Sequence, residues 1–119
     1  MAIVCVSGSR SINNPSVVFG YLDAYHSQTP ITELVHGGAR GVDRLARMWA
    51  EGKGIAATEF EPDWDAYGKA AGPIRNEIMA EYAERVLVIW DGKSKGTAQC
   101  AKYAQSIGKH VTLIVYGSG

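Results

Sequence analysis

The sequence predicts an α/β fold, a parallel sheet with helices on both faces, and three observations carry that prediction. Five short runs rich in Val and Ile (Ala2–Val6, Ile31–Val35, Ile55–Phe60, Val86–Trp90 and Val111–Tyr116) are continuously apolar, as strands covered on both faces are. Four segments between them carry apolar residues at helical spacing. The two kinds alternate strictly, β-α-β-α-β-α-β-α-β, the order of right-handed crossovers between parallel strands.

The first helix is expected over Pro15–Tyr25, with Asn14 as N-cap, Pro15 at the first helical position and Val18, Leu22 and Tyr25 on one face. The second, Gly41–Gly52, places Val42, Leu45, Ala46 and Trp49 on one stripe, and Trp49 reads as core. The third, Pro73–Ala83, has Ile74, Ile78, Met79 and Tyr82 as its apolar stripe. The fourth offers Thr97, Cys100, Ala101, Ala104 and Ile107, a narrow face of small residues suited to close packing on a sheet. One connection is long, Glu61–Gly72, and loops of that length are often functional. No repeat, linker or low-complexity stretch divides the chain, so one domain over residues 1–116 is expected, with 117–119 as a flexible tail.

Composition narrows the function classes. In 119 residues, 46% hydrophobic and 20% charged, the whole chain is not a disordered, collagenous or coiled-coil protein. Twelve basic residues balance twelve acidic ones, without the basic excess of a protein that grips the nucleic-acid backbone. Nucleic acid is therefore not an expected partner. Cys5 and Cys100 sit among small or apolar neighbours and read as buried thiols. No apolar run approaches the roughly 20 residues that span a bilayer, and the start lacks a signal-peptide pattern. The expectation is a cytoplasmic protein with no membrane partner. His26, His36 and His110 do not cluster with carboxylates at metal-ligand spacing, so no metal and no cofactor are expected.

Ligands of doubly wound sheets bind outside the carboxyl ends of the strands. The loops entering the strands are plain. Those leaving them are not: Ser7-Gly8-Ser9-Arg10-Ser11, His36-Gly37-Gly38-Ala39-Arg40-Gly41, Gly72-Pro73-Ile74-Arg75-Asn76 after the long connection, and Asp91-Gly92-Lys93-Ser94-Lys95-Gly96-Thr97. Glycines, hydroxyls and cations thus converge on one edge, where each following helix presents its positive N-terminus, and the simplest occupant is a phosphate. Standard nucleotide motifs are absent. Gly92-Lys93-Ser94 has Leu87 where a Walker A needs its first Gly, and a G-x-G-x-x-G placed on Gly38 and Gly41 has His36 at its first position.

Gly8-Ser9-Arg10, Gly37-Gly38-Ala39-Arg40-Gly41-Val42-Asp43, Gly72-Pro73-Ile74-Arg75-Asn76 and Ser94-Lys95-Gly96-Thr97, taken together, resemble the SLOG superfamily of Rossmann-like domains, in particular its small stand-alone YspA/YpsA-related branch. The resemblance spans nearly the whole chain. Relatives include the Lonely Guy phosphoribohydrolases, which release the base from a nucleoside 5′-monophosphate, the Rossmann domain of the DNA-processing protein DprA, and proteins thought to sense ADP-ribose derivatives. Two departures stand out. Cys100 replaces the glutamate that Lonely Guy enzymes carry three residues after the Thr, with Gln99 before it. Relative to DprA the chain lacks accessory domains and a basic balance.

The resulting expectation is a five-stranded sheet in the order 3-2-1-4-5, with its switch point between the first and fourth strands. A nucleotide or nucleotide-derived ligand, a nucleoside monophosphate or an ADP-ribose type, would bind there. Gly37, Gly38, Gly41, Gly96 and Thr97 would hold its phosphate. Arg75 would neutralise it, Arg10 would close over it, and Asp43 would take a ribose hydroxyl or fix Arg75. Gly8, Ser9, Ala39, Arg40, Asn76, Asp91 and Ser94 complete the expected binding set, with Trp64 or Tyr67 stacking on a base. One reading is a sensor or sequestering module. The other is an N-glycosidic hydrolase, with Arg75 and Asp43 as catalytic candidates and Asp63, Asp65 and Asp91 as further carboxylates. A homo-oligomer, dimer or higher, is also expected.

Overall fold

The computed structural model describes residues 2–116, so the expected tail at 117–119 lies outside the described residues. Five strands, β1 (Ala2–Gly8), β2 (Ile31–His36), β3 (Ala56–Glu59), β4 (Arg85–Trp90) and β5 (His110–Val115), form one sheet in the order β3-β2-β1-β4-β5. Every pairing is parallel. The fold is Rossmann-like α/β, and β1 and β4 adjoin at the switch point as expected.

The helices are α1 (Pro15–Gln28), α2 (Val42–Lys53), a one-turn α3 (Trp64–Tyr67), α4 (Ala71–Tyr82) and α5 (Lys95–Ser106). Asn14 caps α1 through the Val17 N–H, with Pro15 in the first turn. α1 and α2 cover one face of the sheet, closing on Val4, Val6, Leu34, Leu87 and Ile89 with Val18, Leu22, Val42, Ala46 and Trp49. α4 and α5 cover the other, around Cys5, Val35, Val86 and Val88 with Met79, Ala80, Ala83, Ala101 and Ala104. Small residues let α4 and α5 approach the sheet closely, as the α5 sequence implies. Both thiols are free and buried. His26 is structural: its Nδ1 accepts the Ile31 N–H at 3.0 Å and its ring meets Trp49 edge-on.

Three expectations are corrected. Only β1, β4 and most of β2 are covered on both faces; the edge strands β3 and β5 are largely exposed, with Leu113 and Val115 open to solvent. Apolar runs do not reveal how many neighbours a strand has. The long connection is not a loop throughout: it holds α3, a 3-10 turn over Gly68–Ala70 and the first residues of α4. α4 begins at Ala71, and Asn76, Met79, Ala80 and Ala83 face inward, while Ile78 and Tyr82 of the expected stripe are about half exposed. Tyr82 instead packs on Phe60 and donates its hydroxyl to Glu33.

Candidate functional site

At the carboxyl edge of the sheet, the turn from β2 into α2 is built around Asp43. The chain leaves β2 at His36, reverses through Gly38 and Gly41, both at positive φ, and enters α2 one residue before Asp43. From the first turn of α2 the Asp43 carboxylate reaches back, its Oδ2 accepting the Gly37 N–H at 2.9 Å and the Ala39 N–H at 3.4 Å. The Gly38 N–H between them donates to His36 Nδ1 at 3.0 Å. Burial pushes the Asp43 carboxyl up to about 6, against the pull of those N–H groups and the Arg75 charge. Burial also lowers His36, which is 1% exposed. Since Nδ1 accepts, the imidazole proton is inferred on Nε2, which has no partner among the described residues.

Arg75, on α4, seals the same turn from the other side. Its Nη1 donates to the Gly37 carbonyl at 2.6 Å and the Phe60 carbonyl at 3.2 Å, and its Nε donates to Asn76 Oδ1 at 2.9 Å. Asn76 Nδ2 continues to α5, donating to Gln99 Oε1 at 3.2 Å and the Gly96 carbonyl at 3.4 Å. Asp43, Gly37, Arg75, Asn76, Gly96 and Gln99 therefore form one polar network across the sheet edge. Gln99, which the motif reading left without a role, belongs to it.

The glycines of these loops make close contact with protein atoms. A Cβ on Gly37 would meet the Arg75 guanidinium at 2.6 Å, and one on Gly38 the Glu59 carboxylate at 2.5 Å. One on Gly41 would meet the Ser9 carbonyl oxygen at 2.5 Å, and one on Gly8 would fall within the Val42 side chain. Gly96 has open space beside it.

A different surface is open. Over the switch point lies a cleft of about 480 Å³ lined by Arg10, Ser11 and Asn13 from the β1–α1 loop, Arg40 from the β2–α2 loop and Ser94 before α5. Among the described residues the ion pairs are Arg47–Glu51 and Lys53–Asp23, so neither Arg10 nor Arg40 has a carboxylate partner. The walls are stitched together by Asp91. Its N–H donates to Ser9 Oγ at 2.9 Å, and its carboxylate accepts from the Lys93 and Ser94 N–H groups and the Ser11 hydroxyl at 2.8–2.9 Å. These donors, the Ser94 N–H foremost, hold Asp91 well below the usual carboxylate range. The sequence reading does not single out Ser11 and Asn13; their place three and five residues after β1, at the switch point, is the available signal.

Of the remaining expected residues, Thr97 is buried on α5. Trp64 and Tyr67 are exposed on α3, and neither lines the cleft. Cys100 is fully buried against Cys5; that contact first, then burial, pushes the Cys5 thiol up, while the same contact lowers Cys100.

A model of the YspA, cpYpsA-related SLOG family matches residues 2–67, a stretch holding the loops of Arg10 and Arg40 and ending in α3. The chain belongs to this SLOG family. It is also 36% identical over 124 residues to the Gene 61 protein of Mycobacterium phage D29, an alignment covering 98% of each chain. No solved structure matches the SLOG chain. Among its described residues no helix is long and apolar enough to cross a membrane.

Proposed function

We propose that this SLOG protein binds a nucleotide or nucleotide-derived ligand in the cleft over the switch point, as a sensor or sequestering module. The observation that carries the reading is the pair Arg10 and Arg40: two guanidinium groups from separate loops, lining one polar cleft and lacking a carboxylate partner. An anion between them would relieve the repulsion of two like charges and gain charge-assisted hydrogen bonds. The cleft volume falls in the range of small-molecule sites. Ser94, Asn13 and the Ser11 hydroxyl supply polar groups for a sugar or phosphate, and a nucleoside monophosphate or an ADP-ribose type fits that chemistry.

Support for binding over N-glycosidic hydrolysis comes from the carboxylates. Asp43 is engaged with the Gly37 and Ala39 N–H groups, Asp63 caps α3 through the Ala66 N–H, and Asp91 is engaged with Lys93, Ser94 and Ser11. Cys100, in the place of the Lonely Guy glutamate, is buried away from any ligand. A general base must stand within hydrogen-bond reach of a water at the ligand, and of these carboxylates only Asp91, whose oxygens already accept from Lys93, Ser94 and Ser11, is bonded to residues that line the cleft. The test is mass-spectrometric identification of the small molecule that co-purifies with the protein, followed by assay of that molecule and a panel of nucleoside monophosphates for base release. Retention of a phosphorylated nucleoside derivative without turnover is expected. Turnover above about 1 per second, within the usual enzyme range, overturns the sensor reading.

A further inference from the structure

The turn after β2 resembles an anion cradle in sequence, yet its three consecutive N–H groups all end on the protein itself: Gly37 and Ala39 on Asp43, Gly38 on His36. The bond between Ala39 and Asp43 closes the base of a short loop, and the residue projecting from its tip is Arg40, a wall of the cleft. The other side of the loop is fixed by Gly41, whose Cα packs against the Ser9 and Arg10 carbonyls and so keeps the Arg40 and Arg10 loops together. We propose that Asp43 and His36 are positioning residues: Asp43 acts as the internal anion of the Gly37–Ala39 turn, His36 holds the middle N–H, and together they aim Arg40 at the cleft instead of touching the ligand. This inference rests on the reading of the cleft as a nucleotide site and adds how that site is held and how it responds to pH.

Both latches are titratable. The Asp43 carboxylate is faced by the Gly37, Ala39 and Gly8 N–H groups, the Arg75 guanidinium of α4 and the Cys5 and Cys100 thiols. His36 is faced by Glu59 of β3, Arg47 and Glu51 of α2 and Arg75. Protonation of His36 converts Nδ1 from acceptor to donor, so the Gly38 N–H must lose its partner. Protonation of Asp43 leaves both bonds in place, because a carboxylic acid still accepts from the Gly37 and Ala39 N–H groups. Acidification therefore loosens the turn at its middle, where Gly38 meets His36, and Arg40 with it.

Two ligand probes keep their charge between pH 5 and 8, inorganic sulfate and the diphosphate of ADP-ribose. In ligand-free protein at pH 8, the Gly37, Gly38 and Ala39 amides should be protected from hydrogen exchange, with Gly38 losing protection first as the pH falls. Asp43→Ala should weaken binding of both probes about tenfold, the scale of a lost charge-assisted contact. His36→Phe removes the acceptor while keeping a ring in place, and should flatten the wild-type fall in affinity on acidification. Tighter sulfate binding by Asp43→Ala would overturn the proposal, because it would mean the freed N–H groups take the anion. Unprotected amides at pH 8, or an unchanged pH profile in His36→Phe, would overturn it as well. If neither probe binds the wild type, the nucleotide reading falls, and amide protection in the free protein still decides whether the turn is latched. If Asp43→Ala does not fold, the amide measurement and His36→Phe decide the matter.

Discussion

Arg75 and Arg40 stand at the same edge of one sheet and meet opposite surroundings. The Arg75 guanidinium is enclosed by two backbone carbonyls and an Asn side chain, with the Gly37 backbone pressed against it. Arg40 is exposed, has no carboxylate partner among the described residues, and shares a cleft with a second such arginine. The same contrast separates the glycines: Gly37, Gly38 and Gly41 bring protein against protein, while Gly96 borders open space. Residue type alone therefore does not identify a recognition group in this chain. What distinguishes it is whether its hydrogen-bonding capacity is already used inside the fold. By that criterion we assign the Asp43–Arg75–Asn76–Gln99 network to the scaffold and propose the Arg10–Arg40 cleft as the recognition surface.

The most damaging way to break the comparison is to separate the two loops that meet at Gly41. Gly41→Val forces a branched residue to φ +75° and drives Cβ onto the Ser9 carbonyl. A loss of about 3 kcal/mol or more is expected in urea unfolding, with binding lost alongside. Arg75→Ala comes next. It strips partners from the Gly37 and Phe60 carbonyls and from Asn76, so stability should fall by about 2 kcal/mol. Arg75→Lys should not restore it, because a single ammonium cannot reproduce the planar fork. If Arg75→Ala keeps full stability and loses affinity only for phosphorylated ligands, Arg75 belongs with the recognition surface.

The pH dependence of folding sharpens the same contrast. The Asp43 carboxyl, raised to about 6 in the fold, takes up its proton more readily there than in the unfolded chain. Its contribution to stability is therefore complete below the ordinary Asp range and is lost as pH rises through about 6. Asp43→Asn should remove up to about 1.4 kcal/mol per pH unit of that slope in unfolding measurements across this window. His36 works in the opposite sense. Its folded form is held neutral, so its contribution is present above the ordinary His range and lost as pH falls through it. The smallest expected effect on stability is at the cleft: Arg10→Ala and Arg40→Ala should each change it by less than about 0.5 kcal/mol, as substitutions of exposed, unpaired side chains do.

Much of this was legible in the residues. The alternation of Val/Ile runs with helical stripes specifies the fold, and Asn14-Pro15 marks a helix start where one is found. The edge proposed to carry the site is marked in the residues too, since Gly, Ser and Arg gather in the loops that leave the strands. Burial at β3 and β5 was not, because an apolar run reads alike at the centre and the edge of a sheet. Nor was the face that α4 buries, because its inward side carries Asn76 and the small Ala80 and Ala83 with Met79, while the larger Ile78 and Tyr82 lie outside. The division of the site into network and cleft was hidden for a related reason: it depends on where side chains fold back. Asp43 offered the one available cue. An acid in the first turn of a helix can reach back to N–H groups ahead of it, as in a capping box. Ser11 and Asn13 gave no comparable signal, because hydroxyl and amide residues near a helix start read first as turn and cap formers.

The central claim is that recognition resides in the cleft, and calorimetric titration of ADP-ribose into the wild type, Arg10→Ala, Arg40→Ala and the double variant tests it most directly. Each single variant should bind about tenfold more weakly than the wild type, and the double variant more weakly still, with unfolding midpoints unchanged. A double variant that binds ADP-ribose as tightly as the wild type would contradict the account and return the ligand to the network around Arg75.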